Sequence, residues 1–235
     1  MRVFLAGATG VIGRRLVPLL VAAGHHVTGT TRSEDKAAAL IDAGAEPCVV
    51  DVYDADRLTA ALIATRPDVV IHQLTDLPQL LDPAAMANAL ARNARLRIEG
   101  SANLIAAMLA AKAPRLIVQS IAFVYAEGPQ PHGEDDPLAS GNASADAVAT
   151  MERLAATTPG IAGLVLRYGR LYGPGTWAER PDGKGFIHVD AAAQAALLAV
   201  TRGAPGLYNI AEDDGAVSIA KARSAFGFDP AFRCP

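Results

Sequence analysis

The sequence predicts an α/β fold, a doubly wound parallel sheet with helices on both faces, on three observations. Short and nearly continuous apolar runs alternate with Ala/Leu-rich stretches through the first half of the chain, which is the pattern of βαβ units whose strands are buried on both faces. The glycine-rich segment Gly7-Ala-Thr-Gly10-Val-Ile-Gly13 stands between the first run and the first helical stretch. Gly24 and Gly44 close the first two helical stretches, and Pro67 and Pro114 each stand just before a run, as helix ends and strand starts require.

In order, the strands expected are Arg2 to Ala6, His26 to Thr30, Pro47 to Val50, Asp68 to His72 and Arg115 to Ser120. Helices are expected at Val11 to Ala23, Glu34 to Ala43, Asp54 to Thr65 and, as one long element, Pro83 to Ala111. Pro18 lies inside the first helix and removes one backbone hydrogen bond, so a kink is expected there. After Ser120 the texture becomes Gly/Pro-rich, at Glu127 to Pro137 and Gly169 to Gly185. Helices at Ala143 to Thr157, His188 to Val200 and Val217 to Phe226 and strands at Ala162 to Arg167 and Gly206 to Ile210 complete the chain. Long loops in a compact domain tend to be functional, which puts the substrate pocket among them. The organisation expected is a dinucleotide-binding part, residues 1–175, with a small substrate-side extension of the same domain, residues 176–235.

Composition narrows the classes. The 235 residues are 51% hydrophobic and 19% charged, with a formal net charge of -3. No basic arm is present, so a nucleic-acid partner is disfavoured. No apolar stretch is long enough to span a bilayer and no leader-like layout opens the chain, so the expectation is a cytoplasmic protein without a membrane partner. Cys48 and Cys234 are read as thiols. His25, His26, His72 and His132 have no metal-ligand spacing, and no metal is expected.

The chemistry begins at the glycines. After a strand and before a helix, Gly7 permits the tight turn, Gly10 the close approach of a pyrophosphate and Gly13 the packing of helix on sheet, while the helix N-terminus offers free N–H groups. The intervening Thr9, Val11 and Ile12 belong to the same cofactor contact. At the end of the second strand Arg32 stands where an acidic residue would bind the ribose hydroxyls of NAD; an arginine pairs instead with a 2'-phosphate, which favours NADP with NAD as the alternative. Its other reading is a solvated arginine engaged by Glu34 and Asp35. Arg14 adds positive charge to the same corner. Asp51, with Val52 beside it, is placed to take the adenine amino group, or else Asp51 and Asp54 are a helix cap and its neighbour.

With these segments on view, the sequence resembles the short-chain dehydrogenase/reductase superfamily in its extended, epimerase/dehydratase-like branch. The resemblance rests on Gly7 to Gly13, Arg32, Asp51-Val52, Val70 to Thr75, Gly100-Ser-Ala-Asn103-Leu, Gln119 to Tyr125, Leu166 to Pro174, Phe186 to Asp190 and Leu207 to Ile210. It implies a Rossmann-type fold, an NAD(P)-dependent oxidoreductase or epimerase/dehydratase-like activity by hydride transfer on a small carbonyl, hydroxyl or sugar-nucleotide substrate, and a monomer or homodimer. It also implies that Leu74 and Thr75 line the cofactor and that the loop holding Tyr168 and Tyr172 curls toward the nicotinamide.

One departure stands against that implication. The family's proton relay is a Tyr with a Lys four residues later on one helix, plus a Ser or Thr at the end of the fifth strand. No tyrosine here has a lysine four residues on. Aligned through Met151-Glu152-Arg153-Leu154, Ser144 stands in the Tyr position and Val148 in the Lys position; aligned through Phe123-Val124-Tyr125, Ile121 takes the Ser position. Ser120 and Tyr125 are the substitutes for catalysis, Ser120 more plausibly as an orienting group. Tyr125 has a competing reading as a packing residue with its hydroxyl bonded to a loop. His188 and Asp190 are unattractive as a catalytic pair because their matching motif is structural in the family. The expectation is an atypical NADP-binding oxidoreductase-like protein; the alternative is a non-catalytic NADPH-binding sensor or regulator.

Overall fold

The computed structural model describes residues 1–78 and 82–234. Its centre is a seven-stranded, all-parallel sheet of β1 (Arg2–Ala6), β2 (His26–Thr31), β3 (Glu46–Val49), β4 (Val69–His72), β5 (Arg115–Ile121), β6 (Ala162–Tyr168) and a last strand, Gly206–Ile210, in the order β3-β2-β1-β4-β5-β6 and then that last strand. The direction of winding reverses between β1 and β4, the place where open α/β sheets gather ligands at their C-terminal edge. The central strands are largely apolar because both faces are covered: Phe4, Leu5, Val69, Val70, Ile71 and Ile117 are all completely buried, while β3 at the edge, Glu-Pro-Cys-Val, is only partly buried.

One face packs on α1 (Gly13–Ala22) and on Val189–Thr201, the other on α3 (Ala55–Thr65), α5 (Ser101–Ala111) and α6 (Ala143–Thr157). Helix α1 runs through Pro18, which lies on its exposed side. The expected second helix is a 3-10 turn, Glu34–Lys36, leading into a short α2 (Ala37–Asp42). The long element expected over Pro83 to Ala111 is three pieces: α4 (Pro83–Arg95), a π turn (Leu96–Gly100) and α5. Gly100 makes that turn packable, since a Cβ there would come within 2.9 Å of Leu96 Cδ1 and 3.2 Å of Val52 Cγ1.

The Gly/Pro-rich second half holds two strands that the sequence reading passed over as loop. β7 (Arg170–Tyr172) and β8 (Phe186–His188) pair in parallel as a separate two-stranded sheet. Next come α7 (Val189–Thr201), β9 (Gly206–Ile210) and α8 (Ala220–Phe226), which starts three residues later than its apolar pattern suggested. β9 pairs with β6, and Tyr208, Ile210, Ala222 and Phe226 join the same apolar cluster as Leu5 and Leu16. Among the described residues no helix is long and apolar enough to cross a membrane.

Candidate active site

The candidate residues stand at the C-terminal ends of six adjacent strands. Asp51 and Val52 follow β3, Arg32 follows β2, Gly7 to Gly13 follow β1, Leu74 and Thr75 follow β4, Ser120 closes β5 and Tyr168 closes β6. Cross-links hold this edge together. The Gly7 N–H donates to Thr30 Oγ1 at 3.2 Å, Val50 N–H to the Thr31 carbonyl at 3.0 Å, Gln73 N–H to the Ala6 carbonyl at 2.8 Å, and Gln119 Nε2 to the Leu74 carbonyl at 3.0 Å.

The glycine loop has the shape that its sequence called for. Gly7 has φ +91°, and a Cβ there would lie 2.8 Å from the Gln73 backbone; a Cβ on Gly13 would lie 2.2 Å from the Gly7 carbonyl oxygen. No side chain caps α1, so its N-terminus keeps its positive potential for an anion. Arg32 is exposed and forms no ion pair with Glu34 or Asp35 among the described residues. Asp54 is the cap of α3, accepting from Arg57 N–H at 3.1 Å, and Asp51 is its neighbour in the preceding turn, Oδ1 accepting from Tyr53 N–H at 3.0 Å; among the described residues its Oδ2 accepts no hydrogen bond. Val52 is buried, its carbonyl held by Asn103 Nδ2 at 3.0 Å. Arg14 lies against Gly175, where a Cβ would collide with its guanidinium at 1.7 Å. These features, a backbone cradle, an uncapped helix start and an exposed arginine one residue past β2, fit a dinucleotide.

Under the loop, β4 ends in two polar side chains. His72 is fully enclosed; burial, and behind it the charge of Arg97, lowers its pKa to about 4. Gln73 Nε2 donates to the Tyr168 hydroxyl at 3.1 Å, and among the described residues the buried Gln73 Oε1 has no partner. Tyr168 is itself only 3% exposed, and burial raises its phenol pKa. Its hydroxyl is thus turned into the protein, and it meets the edge through Gln73. Leu74 is half-buried and Thr75 exposed on the rim.

Both hydroxyls offered for catalysis are bound to protein groups. Ser120 Oγ donates to Glu152 Oε1 at 2.5 Å. Glu152, on α6, takes a two-pronged salt bridge from Arg167 of β6, Nε to Oε1 at 2.9 Å and Nη2 to Oε2 at 2.7 Å, with the two side chains 6% and 4% exposed. Arg167 Nη1 donates to the Tyr125 hydroxyl at 2.8 Å, and that hydroxyl donates to Asn209 Oδ1 at 2.6 Å. Burial raises the Tyr125 pKa against the pull of Arg167. The network ties β5, α6, β6 and β9 together, and removal of one member of such a buried pair costs about 3–5 kcal/mol. The sequence reading used Glu152 only as an alignment mark and Arg167 only as the end of a strand and the start of the segment turned toward the nicotinamide; an acidic residue on the apolar side of a helix and an arginine inside a buried strand were the available signals.

Where the resemblance places the Lys and the Ser of a proton relay, the structure has hydrocarbon, and only the Tyr position carries a hydroxyl, that of Ser144. Ile121, Val124, Leu138, Ala145 and Val148 form one apolar cluster, with Val148 completely buried. Ser144 lies in the first turn of α6, whose cap is Asn142, accepting from Ala145 N–H at 2.9 Å. Nearby, His188 caps α7 and Asp190 pairs with Arg15 at 2.7 Å, so both organise the helix start. Among the described residues no group of three or more His, Cys, Asp or Glu is placed to hold a metal. The segment after β7 reaches across the edge: Arg15 Nη2 donates to the Pro174 carbonyl and Trp177 Nε1 to the Pro78 carbonyl at 3.0 Å. Cavities of about 560 and 480 Å³ lie beside α8 and at the opposite end of the sheet.

Comparison with known proteins agrees with this geometry. Residues 7–185 match a family described as NAD(P)H-binding. A 3-diazoavenalumate denitrifying reductase of a Streptomyces species is 42% identical over 92% of this chain and 77% of its own length. A 4-hydroxy-2-methyl-3-oxo-4-farnesyl-3,4-dihydroquinoline-1-oxide ketoreductase of Stigmatella aurantiaca is 27% identical over 93% of this chain and 70% of its own. Among solved structures, UDP-glucose 4-epimerase of Thermotoga maritima, with UDP-glucose, superposes with a TM-score of 0.82 at 18% identity, covering 99% of this chain and 94% of that one. WbmG of Bordetella bronchiseptica, in complex with NAD, gives 0.79 at 18% identity, covering 100% and 90%.

Proposed function

Because the chain belongs to this NAD(P)H-binding family of extended short-chain dehydrogenase/reductase-like proteins, we propose that it is an NADPH-dependent reductase whose substrate accepts hydride without a proton from the protein. The observation that carries this reading is the apolar cluster of Ile121, Val124 and Val148 in place of a relay. A carbonyl oxygen becomes anionic as hydride arrives and calls for a nearby acid; hydrocarbon supplies none. A cationic diazonium nitrogen is instead neutralised by hydride: Ar–N₂⁺ plus H⁻ gives Ar–N=N–H, which loses N₂ and leaves Ar–H, with atoms and charge balanced and no external proton. The Streptomyces relative, named for reducing a diazo compound, supports that choice.

When bound, the reduced nicotinamide supplies the hydride. The chain's part is to hold and orient. Gly7, Thr9, Gly10, Val11, Ile12 and Gly13, with the uncapped start of α1, receive the pyrophosphate. Arg32 pairs with the 2'-phosphate, the free oxygen of Asp51 takes the adenine amine beside Val52, and Leu74 and Thr75 wall the path to the reacting end. Ser120 and Tyr125, bonded to Glu152 and Asn209, keep the strand ends rigid, and Tyr168 does so through Gln73.

The test is calorimetric titration with NADPH and NADH, followed by incubation of an arene diazonium salt with NADPH. Expected are tighter binding of NADPH, a reversed preference in Arg32→Asp, and one N₂ released per NADPH oxidised at a rate well above the protein-free control. The reading falls if neither cofactor binds saturably, or if a ketone panel is turned over and the diazonium salt is not.

A further inference from the structure

Beyond the glycine edge, the ends of β5 and β6 are clasped by a hydrogen bond from Ala122 N–H to the Tyr168 carbonyl at 2.8 Å. One residue past the clasp on one strand stands Phe123; two residues past it on the other stands Arg170. Phe123 is 46% exposed, although it is a large apolar ring at the rim of a ligand-gathering edge. The guanidinium carbon of Arg170 lies 4.8 Å from the centre of that ring. Arg170 is also exposed, and among the described residues its guanidinium makes no hydrogen bond and no ion pair. Its backbone is fixed all the same: Arg170 N–H donates to the Gly185 carbonyl at 2.9 Å, and Arg170 pairs in register with Phe186 across β7 and β8.

The guanidinium lies over one face of the ring, so the pair presents the ring's other face and rim together with a guanidinium that, among the described residues, donates no hydrogen bond. An aromatic face accepts another flat ring by offset stacking, and a guanidinium takes a carboxylate through two parallel N–H···O bonds. From this juxtaposition we infer that Phe123 and Arg170 form a subsite for a planar aryl acid, the ring lying on Phe123 and the carboxylate on Arg170. Such a ligand would enter at the same strand edge as the cofactor, three residues beyond Ser120. The inference rests on the reductase reading only for what then happens to the bound acid.

The experiment separates the two. 4-Hydroxycinnamate, which carries neither a diazonium nor a ketone group, and its methyl ester are titrated without cofactor into wild type, Arg170→Gln, Arg170→Lys and Phe123→Ala, each first checked for NADPH affinity. Expected are binding of the acid at least tenfold tighter than of the ester in wild type, loss of that preference in Arg170→Gln, its partial return in Arg170→Lys, and weaker binding of both ligands in Phe123→Ala, with NADPH affinity within twofold throughout. Acid no tighter than ester in wild type, or the same preference in Arg170→Gln, overturns the subsite and marks the pair as surface packing only. Acid binding without turnover of a diazonium salt leaves the subsite standing and removes the reductase reading.

Discussion

His72 accepts the Leu74 N–H at Nδ1, 3.2 Å, so its neutral ring carries its proton on Nε2 and donates it to Ser101 Oγ at 3.1 Å. A second proton would have to displace the Leu74 N–H inside a closed site, which is why burial holds the pKa near 4 rather than 6.5. The sign follows by linkage: above pH 6.5 the ring is neutral folded or unfolded, and as the pH falls toward 4 only the unfolded chain gains the proton. Stability should then decline by up to about 1.4 kcal/mol per pH unit across that window. Denaturant unfolding of wild type and His72→Gln from pH 7 to pH 4 should show this slope component in wild type only; parallel curves would count against it. Other residues differ in how far sequence exposes them. The place of Arg32, one position after a strand, is readable from local pattern, whereas Glu152 and Arg167 meet only across an α6–β6 contact that no local pattern encodes.

At the level of elements, the π turn carries a definite geometric task. Asn93 near the end of α4 accepts the Asp76 N–H at 3.0 Å, and Ser101 at the start of α5 receives His72; both are buried and both steady the chain leaving β4. They are eight residues apart, which on an uninterrupted α-helix turns them about 80° from each other. An extra residue absorbed in an i to i+5 turn makes eight behave like seven, two full turns, and both side chains face the same strand end. Apolar periodicity predicts that this stretch is helical and is blind to the inserted residue. The glycine loop at the start of α1 permits a sharper comparison. A Cβ at Gly10 would meet the Gly7 carbonyl at 3.3 Å, against 2.2 Å at Gly13. Gly10→Ala should keep stability to within about 0.5 kcal/mol while weakening NADPH binding at least tenfold, because it fills the phosphate's approach. Gly13→Ala should lose about 1–3 kcal/mol of stability as well. Thermal unfolding beside calorimetry reads both, and equal stability losses would refute the distinction.

Across the whole molecule, what was legible follows contact distance along the chain. The parallel sheet, the covered faces and the line of cofactor candidates each depend on a strand and the few residues after it, so sequence displays them together. β7 and β8 escaped because three-residue strands separated by a Gly/Pro-rich segment carry no alternation to read. The rigid floor under the candidate site escaped because Ser120, Glu152, Arg167 and Asn209 come from four elements. Trp177 belongs to this long-range class, its Nε1 joined to the Pro78 carbonyl across 99 residues of chain. It is the one tryptophan of the protein, 44% exposed where the segment after β7 reaches the chain leaving β4. The molecule thus carries a single built-in optical reporter beside its cofactor edge. Reduced nicotinamide absorbs where indole emits, so NADPH should quench Trp177 fluorescence and gain sensitised emission of its own, an effect that Trp177→Phe should abolish while leaving NADPH binding by calorimetry intact.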